Sequence, residues 1–240
     1  MKKGFFISLI FFASLIFFCP GIYSQDRSAK ANQAGGFLAY SIHIADELSV
    51  FDNGKTMATY RISVCADVPN DKKPWKVAYR QETGHVFLIL QKISGIDTIN
   101  KVFGFYPKSG LPVLFFKKIK SQIKDNSERV YEVDVTKEIS AAEFDTVLTR
   151  SIVDAQRVYH INKFNCYDYA LGIFNSIAGE HPLPVRHIRF PFIFGKGGSP
   201  CAVYQDLRTL KVVDPALASC IRFGTLIAPL STAAGTEKNQ

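Results

Sequence analysis

Gly84-His85-Val86-Phe87-Leu88-Ile89-Leu90 is the stretch from which the fold can be read. From Val86 to Leu90 the residues are apolar without interruption, so an extended chain here presents buried-type side chains to both sides. Such a strand belongs at the centre of a sheet, covered on both faces. Val102 to Tyr106 can pair back on it around Ser94-Gly95, a turn-forming dipeptide. Upstream, Leu38, Tyr40, Ile42 and Ile44 alternate with Ala39, Ser41, His43 and Ala45, and Tyr60, Ile62 and Val64 alternate with Thr59, Arg61 and Ser63. Both runs read as half-buried strands. Asp52-Asn53-Gly54-Lys55 between them tolerates positive φ and predicts an antiparallel hairpin. Tyr131, Val133 and Val135 form a further alternating strand, giving a sheet of about five or six strands.

Downstream the apolar period lengthens. Phe144, Val147, Leu148, Ile152, Ala155 and Tyr159 recur at helical offsets and predict an amphipathic helix. A second helix starts after Asn165, carries Cys166, Ala170, Ile173, Phe174 and Ile177 on one stripe, and ends near Gly179. An irregular stretch with Pro182, Pro184, Pro191 and Gly195 to Gly198 leads to a short helical pattern around Ala202 to Leu210. These elements predict the α+β class, a mainly antiparallel central sheet packed against helices.

The 240 residues are 47% hydrophobic and 13% aromatic, which excludes a disordered or low-complexity chain. Residues 1–24 read as a signal peptide: Met1-Lys2-Lys3 is a basic start, Gly4 to Phe18 an apolar run, and Pro20-Gly21 breaks it before Ser24. Residues 25–36 read as a flexible leader, 37–230 as a single domain and 231–240 as a flexible tail. The expected location is secreted or periplasmic, with no stable membrane span once the signal is removed. Lys+Arg 29 against Asp+Glu 21 gives a basic chain. The charge forms no long basic block, so no nucleic-acid partner is expected, and Lys117-Lys118 with Lys120 and Lys124 reads as a solvated face. Cys19 would leave with the signal. In an oxidising compartment Cys201 and Cys220, which flank the short helical pattern, are the pair expected to form a disulfide, leaving Cys65 and Cys166 free.

One constellation carries chemistry. Asn165 is a strong N-cap and Asp168 completes a capping box, which places Cys166 in the first turn of its helix. Unpaired N–H groups and the positive end of the helix dipole favour a thiolate there and can serve an oxyanion. Cys166 shares its stripe with residues that face the sheet, so a histidine on the facing strand can act as its base. His85, at the start of the most buried strand, is that histidine. Against this stands a plain alternative, a buried structural cysteine and a strand-end histidine with a local hydrogen bond. His181 and His187 lack a matching cysteine or carboxylate cluster, so no metal and no other cofactor is expected. Gly195-Lys196-Gly197-Gly198-Ser199 lacks phosphate-loop spacing and reads as a turn beside the site. Phe190, Phe192 and Phe194 alternate, as either a groove lining or a buried strand.

Gly84-His85-Val86-Phe87-Leu88, then Phe103-Gly104-Phe105-Tyr106-Pro107, then Phe164-Asn165-Cys166-Tyr167-Asp168-Tyr169-Ala170-Leu171 resembles the circularly permuted papain-like cysteine hydrolases, relatives of the NlpC/P60 peptidases. The resemblance covers about Thr83 to Gly179. It implies a papain-like domain with the nucleophile at a helix N-terminus, Cys166 as nucleophile and His85 as base. Such families place a polar orienting residue opposite the histidine. Pairing around Ser94-Gly95 brings Gly104 to Tyr106 there, so Tyr106 is one candidate, and Asn100 or Asp97 another if the register is shifted. A secreted thiol hydrolase cleaving an amide bond, with a peptide or peptidoglycan-like substrate, is the expectation. A lipid-directed thiol acyltransferase and a non-catalytic binding or structural module of the same fold are the alternatives. The thiol is expected to titrate below ~8.5, as one half of a thiolate–imidazolium pair.

Overall fold

Two strands, β1 (Ser41–Ile42) and β2 (Thr59–Asp67), precede the central run, which extends as β3 (His85–Ser94). The chain continues through β4 (Asp97–Pro107), β5 (Ser121–Asp125), β6 (Val130–Ile139), β7 (Ile188–Arg189), β8 (Lys196–Gly197) and β9 (Ile221–Ile227). These ranges come from a computed structural model that describes residues 40–79, 83–109, 118–191 and 194–234. The expected signal peptide and leader, Lys117, Phe192 and residues 235–240 of the expected tail lie outside the described residues. Among the described residues the main sheet has seven strands in the order β1-β5-β4-β3-β2-β6-β9, with antiparallel neighbours throughout. Central β3 is buried from His85 to Leu90, as its unbroken apolar run requires. It turns into β4 at Ser94↔Asp97, where Gly95 takes φ +62°.

Helices cover one face: α1 (Ile44–Leu48), α2 (Ala141–Ala155), α3 (Cys166–Asn175), α4 (Pro200–Val213) and the short α5 (Pro215–Ala218). Val86, Leu88 and Leu90 pack there with Val147, Ala170 and Ile173. Each of the Val, Leu and Ile side chains contributes about 1.5–3 kcal/mol when fully buried. On the opposite face Cys65, Phe87, Ile89, Val102, Tyr131 and Ala228 form a smaller cluster. α2 starts at a capping box, with Ser140 Oγ accepting from the Glu143 N–H at 3.2 Å and Glu143 Oε2 from the Ser140 N–H at 2.8 Å. It ends before Tyr159, which instead bridges Ile119.

The expected hairpin around Asp52-Asn53-Gly54-Lys55 does not form. β1 is two residues long and pairs with β5, while β2 lies between β3 and β6. Ile44, Leu48 and Phe51 fit a helical period as well as Leu38 to Ile44 fit an extended one. The helical reading prevails because it buries all three, with the Phe51 ring edge-on to Phe144 at 5.0 Å. Nor do Cys201 and Cys220 join. All four described cysteines are free thiols. Cys201 is buried at the start of α4, its thiol donating to the Lys76 carbonyl at 2.6 Å, and Cys220 follows α5. The 14 residues of α4 span about 21 Å, far beyond the ~5.5–6 Å between bridged Cα atoms.

The connection from β5 to β6 is unusually short for the distance it covers. These strands have β4, β3 and β2 between them, yet only Asn126 to Arg129 join them. Strands lie ~4.8 Å apart and an extended chain advances ~3.4 Å per residue, so this arch needs a strongly coiled sheet. It crosses the face opposite the helices: the Asn126 N–H donates to Val102 O of β4, and the Arg129 guanidinium reaches Asp67 of β2. Glu128 within it takes φ +58°, the one non-glycine among the described residues with positive φ. The segment after β9 runs beside it. Glu128 N–H donates to Ala228 O at 3.1 Å, Ala228 N–H to Arg129 O at 3.0 Å and Ser231 N–H to Ser127 Oγ at 2.8 Å. Ser231 and Thr232 also bond the free edge of β4 at Val102 and Asn100, so the expected flexible tail is anchored at its start. No helix of the described residues is long and apolar enough to cross a membrane.

Candidate active site

α3 begins as the sequence predicts. Asn165 Oδ1 accepts from the Tyr167 N–H at 2.8 Å, and Asp168 Oδ2 accepts from the Asn165 N–H at 3.0 Å. Asn165 Nδ2 also donates to Ile161 O and Gly198 O, at 2.8 and 3.0 Å. The cap is therefore tied to two loops, and Cys166 at the first helical position is held while staying partly exposed. The backbones of Val86, the residue after His85, and of Tyr167 act on its sulfur and favour the thiolate. The glycine stretch 195–198 packs on this helix start, since a Cβ on Gly198 would lie 2.0 Å from the Tyr167 ring.

His85 is 4% exposed. Its ring stacks on Tyr106 with centroids 4.1 Å apart. Beside it Gly104 leaves the space the site needs: a Cβ there would lie 2.2 Å from His85 Nε2 and 2.7 Å from Asn126 Oδ1. Those two atoms are buried, and neither has a hydrogen-bond partner. A ring nitrogen and an amide oxygen left facing one gap are complementary. An Nε2–H donating to Oδ1 would satisfy both and leave the lone pair on Nδ1, the nitrogen then able to take a proton.

The electrostatics differ from the expected ion pair. Burial pushes the Cys166 thiol up to about 11, although the Val86 and Tyr167 amides favour the thiolate. Burial, reinforced by the positive charges of Arg129 and Lys124, holds His85 well below its usual range. Both groups therefore rest uncharged at neutral pH. The helix start does stabilise negative charge on sulfur, but desolvation outweighs it.

Of the sequence-derived orienting candidates, Tyr106 lies in the site, stacked on His85 with its hydroxyl on Asn126. Asn100 stands opposite Gln91, six positions along β3, and accepts from the Gln91 amide at 2.8 Å. Asp97 closes the hairpin turn and pairs with Lys55. Asn126 and Arg129 escaped the sequence reading because the arch brings them across three strands. The available signal was Gly104, a glycine inside a buried strand, which marks a close approach by something else. His187 Nε2 lies 2.8 Å from Asp168 Oδ1 and His181 Nδ1 lies 3.1 Å from Asp214 Oδ2. No metal-holding group of three such residues occurs among the described residues. Phe190 is buried and Phe194 fully exposed, so those two do not line one groove. Comparison of the chain with family models, curated proteins and solved structures finds no match.

Proposed function

We propose that the protein is a secreted or periplasmic thiol hydrolase of the permuted papain-like kind related to the NlpC/P60 peptidases, acting on an amide bond in a peptide or peptidoglycan-like substrate. The observation that carries the reading is the buried, unpartnered pair His85 Nε2 and Asn126 Oδ1 over Gly104, on the strand whose next residue, Val86, acts through its backbone on the Cys166 sulfur. Buried polar atoms without partners are costly, and a catalytic role is one reason for keeping them. Because Cys166 and His85 rest uncharged, His85 acts as a general base during attack: the Sγ proton passes to the imidazole as sulfur bonds to the carbonyl carbon. The Val86 and Tyr167 amides favour the negative charge. The imidazolium then protonates the leaving amine, and water cleaves the thioester to return the free thiol. An alcohol or amine in place of water would make the same acyl-enzyme an acyltransferase.

A second reading, a non-catalytic binding module, draws on the raised thiol pKa. Labelling of the purified protein by a peptidyl electrophile, against iodoacetamide, separates the two. A hydrolase labels at Cys166 with saturation, loses at least about 100-fold in rate in His85→Ala, and is unaffected by Cys65→Ala. A module gives non-saturating labelling that follows thiol ionisation near 11 and ignores His85.

A further inference from the structure

Tyr106 Oη accepts two hydrogen bonds, from Asn126 Nδ2 at 2.6 Å and from Arg129 Nη1 at 3.2 Å. Arg129 is fixed in turn by Asp67 Oδ2, at 2.8 Å from Nη2 and 3.1 Å from Nε. Asp67 is fully buried at the end of β2, directly opposite His85. From these contacts we infer that Arg129 and Tyr106 are positioning residues: a relay Asp67–Arg129–Tyr106–Asn126 fixes which end of the Asn126 amide faces His85, and through it which imidazole nitrogen carries the proton. The inference rests on the thiol-hydrolase reading for its purpose and on the contacts alone for its geometry.

An amide has an oxygen end and an NH2 end of nearly equal size, so packing does not choose between them; hydrogen bonding does. A guanidinium only donates, so Arg129 occupies one lone pair of Oη and pins the hydroxyl oxygen in place. In the structure the other lone pair takes the NH2 end of Asn126, which leaves Oδ1 toward His85 Nε2. That oxygen accepts and cannot donate, so the proton on a neutral His85 belongs on Nε2. Burial raises the Tyr106 pKa and keeps the hydroxyl neutral. Remove Oη, and the amide can turn over, present its NH2 to Nε2 and shift the proton to Nδ1, where it blocks the base.

The test reads the tautomer and the chemistry separately. In 15N-histidine-labelled protein at pH 8, the wild type should show His85 neutral and protonated on Nε2. Tyr106→Phe, which removes one oxygen and keeps the stacked ring, should lose that single tautomer, and labelling by the peptidyl electrophile should fall about tenfold or more. Arg129→Ala strips the buried Asp67 of its cation and puts folding itself at risk, so Arg129→Lys is the second variant, expected to retain the Nε2–H tautomer in part. An unchanged Nε2–H signal in Tyr106→Phe overturns the relay, whatever the labelling does. A shifted tautomer in a protein whose wild type shows no saturable labelling upholds the relay and refutes the hydrolase.

Discussion

Gly104→Ala puts one methyl group into the gap on which the site depends. Its carbon would stand 2.2 Å from His85 Nε2, 2.7 Å from Asn126 Oδ1 and 3.1 Å from His85 Cε1. Carbon–carbon contacts are optimal at ~3.5–4.0 Å, so ring and amide must both retreat. Neither has room: Tyr106 stacks on the ring at 4.1 Å, and backbone hydrogen bonds hold the arch behind Asn126. Overpacking of this kind costs about 1–3 kcal/mol, which lowers Tm by about 2–12 °C in a domain of this size. The same displacement parts Nε2 from Oδ1 and should abolish saturable labelling of Cys166. Gly172→Ala is the control. It lies within α3 with nothing within 4 Å of the added carbon, and should stabilise by about 0.5–1 kcal/mol. Urea melts of both variants, with electrophile labelling of the folded proteins, read the two effects together. A Gly104→Ala protein with wild-type stability and labelling would show that His85 and Asn126 do not meet over this glycine.

Two further outcomes are expected. His85 is held below its usual pKa, so its contribution to stability is present above ~6.5 and is lost as pH falls toward the folded value; relative to His85→Gln, the wild type should lose up to about 1.4 kcal/mol per pH unit below that point, read from urea melts between pH 7 and 5, and parallel melts would refute the buried neutral imidazole. Cys65, Cys166, Cys201 and Cys220 should all take up maleimide after denaturation without reductant, and peptide mapping that finds Cys201 bridged to Cys220 would contradict their separation along α4.

Local signals marked the elements that rest on neighbouring residues. The unbroken run after His85 identified the central strand, Ser94-Gly95 its turn, and Asn165 with Asp168 the helix start that holds Cys166. What went unread depends on distant parts of the chain. The hairpin expected before Thr59 gave way because Ile44, Leu48 and Phe51 satisfy two periods, and only packing against Phe144 chooses one. Cys201 and Cys220 are close in sequence, but an intervening helix sets them apart. Asn126 sits in an ordinary polar turn, and its meeting with His85 is a property of strand order. The helix dipole that favours the thiolate is a local effect, while the larger effect, burial, comes from the whole fold.

The strap formed by Ala228 and Ser231 gives the molecule a chronology. His85, Asn126 and Cys166 are all synthesised before it, but the arch carrying Asn126 and the strained Glu128 gains its backbone partners there only when residues 228–231 become available. Pairings between distant parts of a chain form late because their loop-closure entropy must be met first. A nascent chain that ends before residue 228 therefore holds the arch without the backbone partners that Ala228 and Ser231 provide. Closure of the arch is thus left to a segment that follows every strand of the sheet.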